Sequence, residues 1–382
     1  MIKEECFDLR NFMNIFEEPV QGRGPIILPH RFVAEKEPDL MRAVHLIYEM
    51  ISKSRISPKQ MWYRGHKNKD YVLLPTLIRE HYHRYKENSS LSLAEYQRSL
   101  MESFVSRGAT AIELIEPTAK INNSEIELLA QMQHYGVATN LLDWTEDLFT
   151  ALYFACEDCF IGNGEPEHDA TIYAFDPYLY NGIRAAIIKE RYKDLHFSAE
   201  SEKRNVESTR PMGNIIPNFS LLHNTFDNRY QDFIRGEQYS STNYSTPDDT
   251  RVEASIQPLT TFLPLAIQVS RTSQRIQRQA GSFVAFNLSD TPHLGEEQYM
   301  GFQHAELEKI QEYYLHEFAG EVRIQNVKLK EKTPFLYRID LKKESLGLFK
   351  ELILAIGVRT YKLYPELENI GRDIMKMKQG IY

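Results

Sequence analysis

The chain has 382 residues, 42% apolar and 26% charged, which is the composition of a globular protein and excludes a largely disordered one. Its net charge of −8 argues against a protein that coats nucleic acid with a basic surface. Three cysteines are too few for a disulfide framework, and the first residues form no apolar signal-peptide core, so we expect a cytoplasmic protein.

The N-terminal residues and the first periodic segment predict a boundary near residue 37. Residues 1–37 are irregular, and we interpret them as an N-terminal extension laid on a single domain that runs from residue 38 to residue 382. The domain is expected to begin with a helix, because four apolar residues recur there at helical spacing: Leu40, Val44, Ile47 and Ile51.

A short strand and two capped helices follow along the chain. The apolar residues Met61–Tyr63 predict a strand that ends at Arg64 and Gly65. Ser-x-x-Glu capping boxes at residues 92–95 and 124–127 each predict the start of a helix. The second of these helices is expected to end near Gly136, since glycine favours that position.

The second half of the chain predicts strands, one insertion and a helical tail. A helix is expected around Leu148–Ala155. Residues rich in β-branched and aromatic side chains predict strands at 171–175, 265–269, 282–286 and 335–339. The polar stretch 178–260 is interpreted as a long insertion between two strands. A helical region from about 345 to 377 is expected to break at Gly357 and Pro365.

The strand that ends at Arg64 is the first candidate site. A guanidinium at a strand end can face a cleft and donate two parallel hydrogen bonds to phosphate or ribose oxygens. Gly65, which follows it, would allow a ligand to approach closely, and Tyr63 precedes it. The alternative is a surface arginine that is paired with a carboxylate.

A polar and aromatic stretch at residues 133–145 is the second candidate, and we expect it to be a turn between two helices. His134 is a candidate general acid or base, and Tyr135 can stack on a planar ring. Trp144 is a second candidate for stacking. The alternative interpretation makes Trp144 an ordinary core residue.

Asp143 and Gln279 complete the set of polar candidates. Asp143 can accept a proton, but with Glu146 it also fits a helix-capping pair. Gln279 lies two residues before a strand glycine and can aim its amide at a ligand from the edge of the sheet. Alternatively, Gln279 makes ordinary hydrogen bonds at the start of that strand.

Two weaker patterns point to no committed site. Cys156 and Cys159, even with His168, leave a zinc ion without a fourth ligand, so no metal is predicted. The interleaved basic and aromatic residues at 79–86 can grip a nucleic-acid backbone, although a solvated helix end explains them equally simply.

Taken in order, these segments resemble the FRG domain family, which is named for a Phe/Tyr-Arg-Gly motif, here Tyr63–Gly65. The resemblance extends over about residues 40–376, apart from the insertion. The other matching segments are Gln133-His134-Tyr135-Gly136 with Leu141-Leu142-Asp143-Trp144-Thr145, then Ala151–Ala155, Gln279-x-Gly281-x-Phe283 and the tail Leu363–Ile370.

The resemblance implies an α+β fold, with one mixed-sheet domain, flanking helices and the long insertion at 178–260. FRG proteins look like toxins or antiviral effectors of bacteria and phages. Their motif order, an arginine on an early strand and a glutamine or glutamate before a late one, is similar to that of ADP-ribosyltransferases, which have a split sheet. Position 279 departs from this pattern, because many of those enzymes have glutamate there.

The resemblance therefore implies an NAD-dependent ADP-ribosyltransferase with NAD as its co-substrate. Its acceptor is expected to be a macromolecule selected by the insertion, with RNA or DNA favoured over protein, and a neutralising antitoxin is a further expected partner. The alternative is a non-catalytic nucleotide- or nucleic-acid-binding module, or a nuclease-like toxin, that uses the same cleft.

The resemblance also implies a set of site residues, and we expect Arg64, Asp143 and Gln279 to line one pocket. The expected catalytic residues are Arg64, His134, Asp143 and Gln279. The expected NAD-binding residues are Tyr63, Arg64, Gly65, Tyr135, Trp144, Thr145 and Gln279.

Overall fold

The computed structural model describes residues 30–53, 60–79, 93–115, 125–157, 159, 166–191, 263–269, 277–286, 307–324, 327–329, 332–364 and 367–378. Within these ranges, one mixed sheet of seven strands has helices on both faces, which confirms the predicted α+β class. None of the helices in these ranges is both long and apolar enough to cross a bilayer.

The main sheet is mostly antiparallel, and its strands lie in the order β1-β9-β4-β2-β3-β6-β5. Only β1 and β9 pair in parallel. The strands are β1 (Arg31–Ala34), β2 (Trp62–His66), β3 (Leu141–Thr145), β4 (Ala170–Phe175), β5 (Leu265–Ile267), β6 (Gly281–Ala285) and β9 (Leu336–Leu341). A separate hairpin pairs β7 (Arg323–Ile324) with β8 (Val327–Lys328).

Helices cover both faces of this sheet. They are α1 (Glu37–Lys53), α2 (Leu93–Ile115), α3 (Glu125–His134), α4 (Leu148–Ala155), α5 (Pro177–Arg191), α6 (Leu307–His316), α7 (Leu346–Ala355), α8 (Thr360–Leu363) and α9 (Leu367–Lys378). Glycines end two of the helices as predicted. Gly136 has φ +81° and Gly357 has φ +83°, the left-handed conformation that lets a chain leave a helix. The residues that open both predicted capping boxes, Ser92 and Ser124, and also Pro365, lie outside the described residues.

The two faces of the sheet follow from the strand registers. Tyr63 pairs with Thr145 and Ala174 on what we call the first face, which α1, α4 and α7 cover at one end and α2 and α3 at the other. The alternate residues lie on the second face, against α5, α6 and residues 73–78.

The second face has an aromatic core, in which each buried ring contributes roughly 1.5–3 kcal/mol. Its largest members are Trp62, Trp144, Phe175, Tyr180 and Phe335.

The sheet is divided between β2 and β3. β2 pairs with β4 along its whole length, from Trp62 to His66, but it pairs with β3 only at Tyr63 and Thr145. β3 pairs along its whole length with β6. Beyond Tyr63 the two halves of the sheet therefore have no backbone ladder between them, and Arg64 and Asp143 lie on either side of this gap.

Three sequence-based expectations were wrong. Residues 141–145 form β3 rather than a turn, because their apolar side chains pack on both faces of the sheet. Residues 31–34, predicted as extension, form β1, whose parallel partner β9 is about 300 residues distant. Residues 178–191, predicted as the start of the insertion, belong to α5, which packs Leu179 and Ile183 into the core. Residues 192–260 of the predicted insertion lie outside the described residues.

Glycine is required at position 65 by the close packing of a helix, which the sequence did not show. A Cβ at this position would lie 1.8 Å from the carbonyl oxygen of Ala151 and 2.6 Å from the amide nitrogen of Ala155, both in the backbone of α4. The glycine therefore allows a helix to pack closely on β2, which is a different role from the predicted approach of a ligand.

Replacement of Gly65 by alanine should destabilise the fold by about 3 kcal/mol, because neither β2 nor α4 can yield that much space. Gly347→Ala is the matched control. Gly347 lies in α7 with nothing near its Cβ position, so this change should stabilise by about 0.5–1 kcal/mol. Urea unfolding of both variants provides the measurement. Equal stabilities would show that β2 does not pack against α4 as described.

Asp176 generates a pH-dependent prediction. It is buried, and its carboxylate accepts from the amides of Tyr178 and Leu179 at the start of α5. Burial raises its pKa from 3.8 to about 6. As the pH rises from 4 to 6, the unfolded chain therefore loses this proton before the folded chain does, and the free energy of unfolding should fall by about 2 kcal/mol between these two pH values.

Asp176→Asn should remove this fall and preserve the cap, because asparagine caps helices as well as aspartate does. The measurement is the free energy of unfolding in urea at pH 4, 5, 6 and 7. The same slope in the wild type and the variant between pH 4 and 6 would show that Asp176 is not the group that titrates.

Candidate functional site at the gap between β2 and β3

Arg64 spans the gap between the two halves of the sheet. Its Nη1 donates a hydrogen bond of 2.6 Å to the backbone carbonyl oxygen of Asp143 on β3. Its Nε donates to Nε2 of His66, two residues along the same strand, at 2.7 Å. Because the strands share only the pair Tyr63 and Thr145, the Arg64 side chain takes the place of ladder hydrogen bonds at this end of β3.

His66 is a fixed, neutral acceptor. Its side chain is 6% exposed and lies against the rings of Tyr71 and Tyr173, at 6.1 and 5.5 Å between centroids. Burial, and then the charge of Arg64, lower the pKa of His66 to about 2. The ring is therefore neutral at neutral pH, and its Nε2 carries no proton because it accepts from Arg64, so His66 is not a general acid or base.

The arginine itself lacks a carboxylate partner in the part of the chain that the structure describes. Both of its hydrogen-bond acceptors are uncharged. Burial lowers the pKa of Arg64 to about 10; the charge of Asp143 raises this pKa, and that of Arg79 lowers it. The alternative interpretation, a surface arginine paired with a carboxylate, does not hold for the described residues.

A neighbouring cluster on the second face shows what a neutralised arginine looks like. Tyr173 on β4 pairs with Arg338 on one side and with Arg64 on the other, so the three residues lie in one row across the sheet. Arg338 donates to Asp340 at 2.7 Å and to Glu308 at 3.5 Å. Its guanidinium lies 5.9 Å from the centre of the Tyr173 ring. Burial lowers the pKa of Arg338, but the hydrogen bond to Asp340 and the charges of Tyr173, Asp340 and Glu308 together outweigh it, and the pKa is raised.

Sequence reasoning missed both the Arg338 cluster and the part that Arg79 plays beside Arg64. A signal was present for the cluster, since Arg338 and Asp340 alternate with apolar residues along β9. Charged residues on one face of a central strand must find partners, which predicts a polar network there. Nothing in the local pattern showed that this network lies next to Arg64.

Asp143 adjoins Arg64 through its backbone. It pairs with Phe283 on the first face, whereas the side chain of Arg64 lies on the second. The Asp143 side chain is exposed. The predicted capping role was wrong, because the cap of α4 is Asp147, which accepts from the amides of Phe149 and Thr150 at 3.1 Å.

Trp144 belongs to the core, as the alternative interpretation held. It is 3% exposed, and its ring stacks on Phe175 with 4.9 Å between centroids. A ligand therefore has no access to its faces, and the predicted stacking role was wrong. Tyr63 is half-buried at the single pair that joins the sheet halves, and burial, with the charge of Asp147, raises its pKa.

Gln279 is not brought together with Arg64 and Asp143. Its Nε2 donates to the carbonyl oxygen of Leu363 at 3.1 Å, and its own carbonyl accepts from Thr145 Oγ1 at 2.6 Å. Leu363 packs in the core of the first face, whereas the side chain of Arg64 is on the second. The expected pocket of three residues is therefore wrong, and Gln279 makes the ordinary hydrogen bonds of a turn.

His134 and Tyr135 end α3 and lie against each other. His134 is the last residue of the helix, and its ring meets the Tyr135 ring edge-on at 4.6 Å. Tyr135 also contacts Phe104 of α2, at 6.1 Å between centroids. The Tyr135 side chain is 37% exposed.

No three His, Cys, Asp or Glu side chains in the described ranges come together in a way that can hold a metal ion. Cys156 is buried, and burial raises the pKa of its thiol well above the ordinary value.

The comparisons with known proteins agree with the resemblance seen in the sequence. Residues 59–160 match the model of the FRG domain family. This interval contains Arg64, His66, Arg79, His134 and Asp143 and ends before Gln279. No curated protein and no solved structure matches the chain.

The hydrogen bond from Gln279 to Leu363 separates a structural role from a catalytic one. Gln279→Glu removes the donor and places a carboxylate beside a carbonyl oxygen, so we expect a loss of about 1–3 kcal/mol in the free energy of unfolding. Gln277→Glu, at an exposed position two residues earlier, is the control and should change stability by less than about 0.5 kcal/mol. A Gln279→Glu variant with unchanged stability and altered nucleotide binding would show that this side chain faces a ligand instead.

Proposed function

We propose that this chain, whose residues 59–160 form an FRG domain, binds NAD at the gap between β2 and β3 and transfers its ADP-ribose group to a macromolecular acceptor. The observation that supports the proposal is the setting of Arg64. Its guanidinium is held by two uncharged acceptors, and no carboxylate in the described residues forms an ion pair with it. A partly buried cation of this kind favours an anionic ligand, and a guanidinium matches the oxygens of a phosphate.

In this proposal the described residues divide the work of binding and reaction. Arg64 holds a phosphate of NAD, and neutral His66 keeps the guanidinium in place. Tyr135 offers an exposed ring on which nicotinamide or a target base can stack.

The proposed reaction breaks the bond between C1′ of the ribose and the nicotinamide nitrogen. The bonding electron pair leaves with nicotinamide, and an acceptor oxygen or nitrogen forms the new bond to C1′. The acceptor's proton passes to a base. Asp143 is the proposed base because its carboxylate is exposed and its charge acts on Arg64 without an ion pair between them, and His134 is the second choice.

The biological role in this proposal is that of a bacterial toxin or phage-defence effector. It is supported by the family resemblance. RNA or DNA is the preferred acceptor, and a neutralising protein is a proposed partner.

One observation favours a second candidate, a nucleotide-binding module without transferase activity. Gln279 stands where ADP-ribosyltransferases with a similar motif order have a glutamine or glutamate, the residue expected to orient ribose, yet its amide is hydrogen-bonded to Leu363. A site that lacks this group can still bind the phosphates of a nucleotide through Arg64. The two candidates differ in turnover and not in binding.

Incubation with NAD labelled in its adenylate phosphate, followed by separation of protein, DNA and RNA from a bacterial lysate, tests the proposal. The wild type should label nucleic acid. Arg64→Ala should lower labelling at least about 100-fold, because one charge-assisted pair to phosphate is worth about 3 kcal/mol. Arg64→Lys should recover only part of the activity, since lysine keeps the charge but loses the second parallel hydrogen bond.

Arg42→Ala is the matched control, because Arg42 is an exposed arginine of α1, which packs on the first face. It should label like the wild type. Thermal unfolding of each variant shows whether Arg64→Ala has lost its fold, given that the Asp143 carbonyl loses a donor. Folded Arg64→Ala with full labelling contradicts the role of Arg64. NAD binding without any labelling favours the second candidate.

A further inference from the structure

Arg79 reaches the same gap from another segment of the chain. It lies in a helical turn at residues 76–79, whose Leu77 and Ile78 are buried in the second-face core with Trp62 and Trp144. The amide of Leu77 also donates to the carbonyl oxygen of Thr139, just before β3. These contacts fix the turn beside β2 and β3, on the face where Arg64 lies.

The two arginines are close enough to influence each other. The charge of Arg79 lowers the pKa of both Arg64 and His66. Two like charges in a partly buried place destabilise each other unless an anion lies between them. The charge of Asp143 acts on Arg64 in the opposite sense, but within the described residues no carboxylate forms an ion pair with either guanidinium.

The hydrogen bonds of Arg64 and Arg79 leave some of their N–H groups without an acceptor. Arg79 uses Nη2 for a hydrogen bond of 3.1 Å to Thr76 Oγ1, while its Nε is buried and has no acceptor among the described residues. Arg64 uses Nε and Nη1, which leaves its Nη2 without an acceptor in the same part of the chain. A buried N–H group without an acceptor, such as Nε of Arg79, is costly, and an anionic ligand with several oxygens would offset the charge of both guanidinium groups.

We propose that Arg64 and Arg79 together form a two-guanidinium site for the diphosphate of a nucleotide, so that the protein prefers nucleotides with a diphosphate to nucleoside monophosphates and nucleosides. Each guanidinium then faces one phosphate. His66 supports this arrangement because it accepts from Arg64 as a neutral ring and adds no third positive charge. The inference rests on the proposed nucleotide site, although it does not depend on transfer.

Isothermal titration of the full-length protein with ADP-ribose, AMP and adenosine tests the inference. Wild type should bind ADP-ribose most tightly, AMP more weakly and adenosine most weakly. Arg79→Gln should weaken the binding of ADP-ribose about 10- to 100-fold and leave that of adenosine unchanged, because only the phosphate contact is lost. Arg79→Lys should lie between wild type and Arg79→Gln, and Arg42→Gln is the matched control, which should bind all three as the wild type does.

Several outcomes would overturn the inference. They are equal affinities of wild type for ADP-ribose and AMP, unchanged binding of ADP-ribose by Arg79→Gln, and an equal loss for adenosine in a variant whose thermal unfolding is normal. If Arg79→Gln does not fold, Arg79→Lys decides: wild-type affinity for both ADP-ribose and AMP in that variant contradicts a paired hydrogen-bonding role.

The failure of this inference and that of the proposed function are distinguishable. Tight binding of ADP-ribose that depends on Arg79, with no labelling of any acceptor, supports the diphosphate site and contradicts transfer. Labelling that is unaffected in Arg79→Gln supports transfer and overturns the diphosphate site. Binding of a short single-stranded RNA without any binding of ADP-ribose also overturns it, since the arginines would then hold a nucleic-acid backbone.

Discussion

The hydrogen bond from Arg64 to the backbone carbonyl of Asp143 is the contact on which the candidate site depends. The backbone joins β2 and β3 at one residue pair only, and beyond this pair a side chain reaches from one half of the sheet to the other. An arginine side chain can connect the two strands with one N–H group and leave other N–H groups of the guanidinium uncovered. The same residue therefore joins the two halves and presents a positive charge at the gap.

The surroundings of Arg64 explain why that charge stays available. A carboxylate beside the guanidinium would neutralise it, as Asp340 does for Arg338 in the same register row. His66 instead accepts as a neutral ring, and burial prevents its protonation. Gly65 allows α4 to pack on the first face directly behind this segment, which fixes β2 from the other side. Each residue of the Tyr63–His66 segment thus has a distinct physical role.

The sequence predicted the local structure well and the relations between distant segments poorly. Most strands, most helices and the glycine at the end of α3 followed from periodicity and capping. The strand β3 was predicted as a turn because its polar residues masked apolar side chains on both faces. Gln279 was expected beside Arg64 because family motifs give only the order of residues along the chain. The two side chains lie on different faces because the face is set by strand register, which no local sequence pattern contains. Arg79 was seen only as part of a basic run, and its position near Arg64 follows from tertiary packing of Leu77 and Ile78.

The central claim is that Arg64 is held in place for an anionic ligand and not for another part of the protein. A crystal structure of the full-length protein with ADP-ribose tests this most directly. The account predicts the diphosphate at the gap between β2 and β3, within hydrogen-bond distance of Nη2 of Arg64, with the bonds from Arg64 to His66 and Asp143 unchanged. A carboxylate of the protein paired with Arg64, or ADP-ribose bound elsewhere, would contradict it.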